Sequence, residues 1–218
     1  MRGQAIAVDG PAGSGKSTVA KALARRLGAA HVDTGAMYRA LALKMLEEKL
    51  RFDDRSAVAE VLASTDIWVG DGKVLLDGRD VAHLIRSDEV TAASSKVAEL
   101  EPVRRGMVER QRAIAEAAGS AVVEGRDIGT VVLPGADLKI YLTASEQERA
   151  RRRSLETGSE AGRTAAEIAS RDARDSERTF SPLKAAADAV VLDTTDLSIE
   201  QVLDRILEIL TTAGLADD

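Results

Sequence analysis

"AIAVDGPAGSGKSTVAKALARRLG", residues 5–28, begins as an apolar run ending at Asp9-Gly10 and passes into a glycine-rich loop. It closes on a segment that puts Val19, Ala20, Leu23 and Leu27 on one face, with Gly28 as its stop. The order is strand, loop, helix. Within it, "GPAGSGKS" at 10–17 satisfies G-x-x-x-x-G-K-[ST] in full. At ordinary residue frequencies that pattern arises by chance in about one chain of this length in a hundred, and the strand-loop-helix setting lowers the figure further. Gly10, Gly13 and Gly15 allow backbone angles and close approaches that a side chain would block, so successive amides can turn toward phosphate oxygens. The helix N-terminus adds its positive end. The stretch Gly10, Pro11, Ala12, Gly13, Ser14, Gly15, Lys16, Ser17 and Thr18 is therefore the expected ATP-binding loop, with Lys16 reaching the outer phosphates and the Ser17 hydroxyl able to ligate Mg²⁺.

Outward from this loop, strands alternate with helices. Helices are expected at about 36–50, with Met37, Leu41 and Leu46 apolar, at 56–63, over 88–118 with an interruption near Pro102, and from Ser198 to the C-terminal region. "SAVVEG", "LKIYLT" and "VVLDT" are the further strand candidates, which implies an α/β fold on a parallel sheet covered by helices on both sides. "DIWVGDGKVLLDGRDV" departs from that texture. Two short β-rich segments flank Asp71-Gly72, with a second Asp-Gly at 77–78, and read as a small antiparallel insertion. Capping-box patterns at Ser145/Glu148, Thr164/Glu167 and Ser198/Gln201 mark expected helix starts, and the glycine-containing "TGSEAGR" between the first two suits a mobile flap.

Bulk composition narrows the function classes. The 218 residues suit one domain with lobes, and no apolar run approaches the roughly 18 residues of a membrane span. The N-terminus lacks the features of a signal peptide, and the chain has no cysteine, so a cytoplasmic protein without disulfides is expected. A net charge of -6 argues against a general nucleic-acid binder, so any anion site must be local. Arginine outnumbers lysine 22 to 8, and its planar fork matches phosphate oxygens in pairs.

Three further segments carry candidate chemistry. "VDTGAMYRA" supplies Asp33, Thr34, Tyr38 and Arg39; Asp33 could serve as a base for a hydroxyl or act through metal-bound water, whereas Arg39 favours an anionic acceptor. A phosphate monoester is already ionised near neutral pH, so it needs cations to hold it in line rather than a general base. Only two histidines, His31 and His83, occur, at unrelated spacing. "VVEGRDIGT" places Arg126 and Asp127 just after an apolar strand, where open α/β sheets bind ligands. The pair either neutralises itself in a loop, or divides the labour. In the second case Arg126 holds phosphate and Asp127 accepts from an exocyclic amine, which would tell cytosine from uracil. "SRDARDSER" at 170–178 sets Arg171, Arg174, Asp175 and Arg178 at i, i+3, i+4 and i+7 on one helix side, either a solvated face or the second wall of a polyanion site.

Taken together, "DGPAGSGKSTVAKALA", "DTGAMYRALAL", "VTAASSKVAELEPVR", "EGRDIGTVVLPGADLKIYLTAS", "RDARDSER" and "ADAVVLDTTDLSIEQV" resemble the bacterial cytidylate kinases of the nucleoside monophosphate kinase group, over essentially the whole chain. The resemblance implies transfer of the ATP γ-phosphate to CMP or dCMP with Mg²⁺ by a monomeric enzyme of pyrimidine metabolism. It implies a single P-loop kinase domain over 1–218, with a core at 1–35, 119–145 and 185–218, a CMP-binding lobe at 36–118 whose β insertion lies near 66–82, and a short helical lid at 146–180. Ser95, Arg104 and Asp127 match positions that read cytosine, Arg39 and Arg126 those that hold the CMP phosphate, and Asp175 the ribose contact. Arg171 and Arg178 match lid-side arginines facing phosphates, Arg178 at the CMP phosphate; with Lys16 and Arg126 they form the expected catalytic set. Thr34 stands where many relatives have serine, and Glu124 where many have aspartate. The "LETGSEAG" region is shorter than in some relatives, which leaves Arg149, Arg152 and Arg153 open between solvated helix and lid. Rival readings are a small-metabolite P-loop kinase using Asp33 as base and a nucleotide-dependent switch or assembly ATPase.

Overall fold

The computed structural model describes residues 3–70, 72–157 and 161–215. In chain order the elements are β1 (Ala5–Asp9), α1 (Lys16–Leu27), β2 (Ala30–Asp33), α2 (Thr34–Glu47), α3 (Arg55–Ser64), β3 (Ile67–Gly70), β4 (Lys73–Leu76) and β5 (Arg79–Asp80). They continue with a 3-10 turn (Leu84–Arg86), α4 (Asp88–Val97), α5 (Glu101–Ala118), β6 (Ala121–Gly125), a π-helical turn (Ile128–Val132) and β7 (Leu138–Thr143). The last are α6 (Glu146–Thr157), α7 (Ala161–Glu177), β8 (Val190–Asp193) and α8 (Ile199–Thr212). The chain divides into two compact units, Met1–His31 with Ala115–Asp218, and Val32–Ile114.

The first unit is built on a five-stranded sheet in the order β2-β6-β1-β7-β8. β1 runs parallel to β6, with Ala7 opposite Val123, and parallel to β7, with Val8 opposite Ile140; β7 is parallel to β8. The central strands are apolar on both faces because helices cover them, the pattern expected of a parallel sheet. Ile6, Val8, Val122, Ile140 and Leu142 form one core with Val19 and Leu23 of α1 and Val202, Ile206 and Leu210 of α8. Each such side chain, fully buried, contributes about 1.5–3 kcal/mol. α1 stops at Gly28, whose φ of 61° lets its N–H turn back to the Arg25 carbonyl. α8 starts on the reciprocal Ser198/Gln201 capping box that the sequence predicts.

The second unit packs α2 against α4 and the small antiparallel sheet β3-β4-β5. Met37 and Leu41 of α2 are fully buried as the helical period requires, but the third core position is Met45 rather than Leu46, which is half-buried. The β3-β4 turn holds Gly72 at φ 77°; Asp71 lies outside the described residues. Asp77 and Gly78, at φ 49° and 80°, close a second tight turn, so the insertion has three strands where the residue pattern suggests two. β5 is only two residues long, too short to show alternation. Asp77 secures this turn by accepting the Asp66 amide at 2.9 Å and Lys44 Nζ at 2.7 Å.

The helix break expected near Pro102 lies at 98–100, with Pro102 the second residue of α5. α7 begins three residues before Thr164, which is buried inside the helix and is not its cap. The remainder of the flap seam, residues 158–160, is outside the described residues. No helix among the described residues is long and apolar enough to cross a membrane.

Candidate active site

The phosphate loop leaves the C-terminal end of β1, a central strand, and feeds directly into α1. Gly13 and Gly15 take φ values of 74° and 86°, which side-chain-bearing residues rarely adopt. A Cβ added at Gly13 would stand 2.7 Å from the Arg149 carbonyl oxygen, so space and backbone conformation both require glycine. Gly13→Ala is therefore expected to weaken ATP binding by about five- to a hundredfold through strain of about 1–3 kcal/mol while leaving CMP affinity unchanged; calorimetric titration of each nucleotide checks this.

Lys16 is buried and donates from Nζ to the Pro11 carbonyl at 3.1 Å, which folds the ammonium over the loop. Ser14 is fully buried, and its Oγ has no hydrogen-bond partner among the described residues. A buried hydroxyl in that condition is costly unless a ligand satisfies it, so the loop fits a phosphate-bearing group. Ser17 Oγ donates to Glu124 Oε2 at 2.6 Å, and His31 Nε2 lies 2.9 Å from Glu124 Oε1. Glu124, only 2% exposed, thus accepts the Ser17 O–H and leaves the hydroxyl oxygen's lone pairs available to a metal ion. Among the described residues no group of three or more Asp, Glu or His could hold a metal by itself.

The segment after β6 is held by Asp9 at the end of β1. Its Oδ1 accepts the Ile128 amide and its Oδ2 the Gly129 amide, both at 2.8 Å, which fixes the turn that carries Arg126 and Asp127. Burial pushes the Asp9 carboxyl up to about 6, against the pull of these two amides. Asp127 is itself buried. Arg126 donates from Nε to Asp175 Oδ2 at 2.8 Å, and Arg178 donates to the other oxygen, Oδ1. Asp175 is 2% exposed. Burial alone would raise its carboxyl, but the charges of Arg126, Arg178 and Arg171 outweigh that and hold it below the ordinary carboxylate range. The charged stripe of α7 is thus half of a buried network. Arg174 differs from its neighbours, since its Nε turns back to the Ser170 carbonyl of its own helix at 3.2 Å.

In the second unit, Asp33 is the N-cap of α2: Oδ1 accepts the Ala36 amide at 2.8 Å and Oδ2 accepts from Arg39 Nη2 at 3.1 Å. Both carboxylate oxygens are engaged in holding the helix start and Arg39, while Arg39 Nε is buried with no hydrogen-bond partner among the described residues. Thr34, the first residue of α2, is buried. Arg104 is 4% exposed and lies over Tyr38, 5.8 Å from its guanidinium carbon to the ring centroid, a cation–π approach. Ser95 is buried on α4, and its Oγ reaches the Thr91 carbonyl only at 3.4 Å. The guanidinium can only donate, whereas the hydroxyl can both donate and accept.

Sequence reasoning left several residues of the first unit without a part. Asp9 carries a local signal, an acid ending an apolar strand, but its partners lie 119 and 120 residues away. Arg152 donates to the Thr194 hydroxyl and carbonyl at 2.9 and 2.6 Å and is not a solvated lysine-like charge. Arg149 is buried and turned toward Ala12, whereas Arg151 pairs with Glu148 at the surface. Nothing in "RARRR" separates these by spacing alone.

A parallel sheet whose central strand delivers a Gly10–Ser17 phosphate loop onto a helix, with a small antiparallel sheet in the second unit, has the fold class of the P-loop kinases. Solved structures share this fold: a gluconokinase from Sinorhizobium meliloti 1021 superposes with a TM-score of 0.52 at 16% identity, covering 97% of this chain and 93% of that one. An uncharacterized protein from Eubacterium ventriosum ATCC 27560 does so with a TM-score of 0.56 at 12% identity, over 96% and 98% of the two chains. At such identities the likeness is one of fold alone. The sequence itself goes further, because the family profile described as cytidylate kinase matches residues 6–212. Proteins named cytidylate kinase are 50% identical over 214 residues in Geobacillus sp. (strain WCH70), spanning 94% of this chain and 95% of the relative, and 48% identical over 213 residues in Caldicellulosiruptor bescii, spanning 94% of each. The chain belongs to the cytidylate kinase family.

Proposed function

We infer that the chain transfers the γ-phosphate of ATP to CMP or dCMP, giving ADP and CDP or dCDP. Its membership of the family carries this reading, and the small-metabolite kinase and the switch ATPase are not favoured. The site chemistry agrees with it. No histidine or free carboxylate needs to act as a general base when the acceptor is a phosphate monoester, and the arginines supply what that acceptor lacks, positive charge to offset repulsion from ATP. In this reading Lys16 and the loop amides hold the ATP phosphates, and Arg171 with Lys16 and Arg126 neutralises the transferred group. Arg39, Arg126 and Arg178 hold the CMP phosphate, Asp175 contacts the ribose, and Ser95, Arg104 and Asp127 read cytosine, with Asp33, Thr34 and Tyr38 supporting them. Mg²⁺, held through Ser17 and the nucleotide phosphates, would supply charge neutralisation to those phosphates. Residues 36–118 serve as the CMP-binding lobe and 146–180 as the lid of one kinase domain. A monomeric cytoplasmic enzyme of pyrimidine nucleotide metabolism is part of the same proposal, in keeping with the cysteine-free composition.

ADP release measured with ATP, Mg²⁺ and a panel of CMP, dCMP, UMP, AMP, GMP, shikimate and gluconate tests the reading. CMP and dCMP should be preferred; acceptor-independent hydrolysis, or a wide preference for UMP or AMP, would sink it. Within that panel, Asp127→Ala should cut the CMP-over-UMP preference by at least about tenfold, because an acceptor matched to an amino group is what penalises a carbonyl in its place. Unchanged discrimination would remove Asp127 from base reading.

A further inference from the structure

Ala12, the third residue of the phosphate loop, is gripped on both of its peptide groups by the two helices that follow β7. Asp172 of α7 accepts the Ala12 amide through Oδ1 at 3.1 Å. Arg149 of α6 donates from Nη1 to the Ala12 carbonyl at 3.1 Å and to Asp172 Oδ2, and from Nε to the Ala144 carbonyl at 3.2 Å. The three groups close a ring. Arg149 is 9% and Asp172 17% exposed, so the ring is largely shielded from water.

A carboxylate beside a loop built to receive polyanions works against ligand charge, and Arg149 offsets that cost. Its placement has a geometric result. Three residues further along α7, about 4.5 Å of helix rise, Asp175 is fastened to Arg126. The helix is therefore pinned at two points, once to the phosphate loop and once to the turn after β6, and two pins set both its rotation and its rise. Arg171 and Arg178, which flank these pins, take their positions from them.

We propose that Asp172 is a positioning residue for phosphoryl transfer: through the Ala12 amide it holds the phosphate loop and the arginine-bearing helix α7 in one register. The proposal rests on residues 10–18 being the ATP site, which Gly13→Ala tests separately by ATP affinity. What the role needs of residue 172 is an acceptor for the Ala12 amide; the negative charge serves the pair with Arg149. Asparagine keeps the acceptor and loses the charge, whereas alanine loses both.

Steady-state kinetics of Asp172→Ala and Asp172→Asn, with melting curves of each, tests this. Asp172→Ala should lower kcat at saturating ATP and CMP by about ten- to a hundredfold, the usual effect of a misplacement near 1 Å, with the KM for CMP within about twofold. Asp172→Asn should return kcat to within about threefold of wild type while melting at nearly the temperature of the alanine variant, so that rate and stability separate. Wild-type kcat in Asp172→Ala, or an asparagine variant as slow as the alanine one, overturns the proposal. Should Asp172→Ala fail to fold, Asp172→Leu, which keeps volume and offers no acceptor, takes its place with the same two expectations.

Discussion

Lys16→Ala should lower the turnover number by about a hundred- to a thousandfold, the range seen when one preorganised charge or donor is removed from a developing anion. Lys16 Nζ is folded over the loop onto the Pro11 carbonyl, in a buried position where its charge is poorly screened. When the phosphates of ATP arrive, the ammonium exchanges a neutral carbonyl for charged oxygens, and the gain grows as negative charge shifts during transfer. Alanine leaves the loop glycines and amides in place, so ATP should still bind, though more weakly. CMP affinity should stay within about twofold of wild type, because no contact assigned to CMP involves Lys16. Rapid-quench measurement of the transfer step, with calorimetric titration of CMP, separates the two quantities. A variant that kept more than a tenth of wild-type turnover would remove Lys16 from the phosphates.

Asp175→Ala should be costly to stability as well as to rate. Asp175 is 2% exposed and bridges Arg126 and Arg178, which are themselves only 14% and 7% exposed. Removing the shared carboxylate takes away the negative charge that both buried guanidinium groups face. The expected loss is about 3 kcal/mol, or about 10 °C in melting temperature for a chain of this size. The pH dependence has a definite sign. The folded carboxyl titrates below its ordinary value of 3.8, so its contribution is present above that pH and is lost as pH falls through the lower folded value. The gap between wild type and variant should therefore hold across neutral pH and narrow only at the acid end. A gap that instead closed between pH 6 and 8 would assign the stabilisation to another group. Under the proposed ribose contact, turnover should also fall, and the KM for CMP should rise more than that for ATP.

The elements most legible from residues alone were those whose determinants are local. The phosphate loop lies within eight consecutive positions, and the capping box at Ser198 and Gln201 within four, so each could be read without knowing what surrounds it. β5 escaped notice because two residues carry no period, and the start of α7 was misplaced because Thr164 has the chemistry of a cap but the burial of a core residue. The site divides along the same line. Arg126 and Asp175 are prominent in their motifs, yet their contact spans 49 residues, and charge spacing on α7 marked Arg171, Arg174, Asp175 and Arg178 while passing over Asp172. A helical stripe reports which side chains share a face; it does not report which face meets the loop.

The order of strands also bears on how the protein is made. β1 is central, and both of its neighbours, β6 and β7, lie more than 110 residues downstream, as does the Asp172 that fastens Ala12 from 160 residues away. On a ribosome adding about 5–20 residues per second, roughly 10–30 s pass between the appearance of the glycine loop and that of Asp172. Until β6 and β7 follow, the first strand has no partners in its own sheet, and until Asp172 follows, ATP has no finished cradle with which to stabilise the nascent chain. Truncated products ending before β7 should accordingly gain no protease protection from nucleotide, and the interval is one in which the exposed strand edge depends on chaperones or on its own brevity to stay unaggregated.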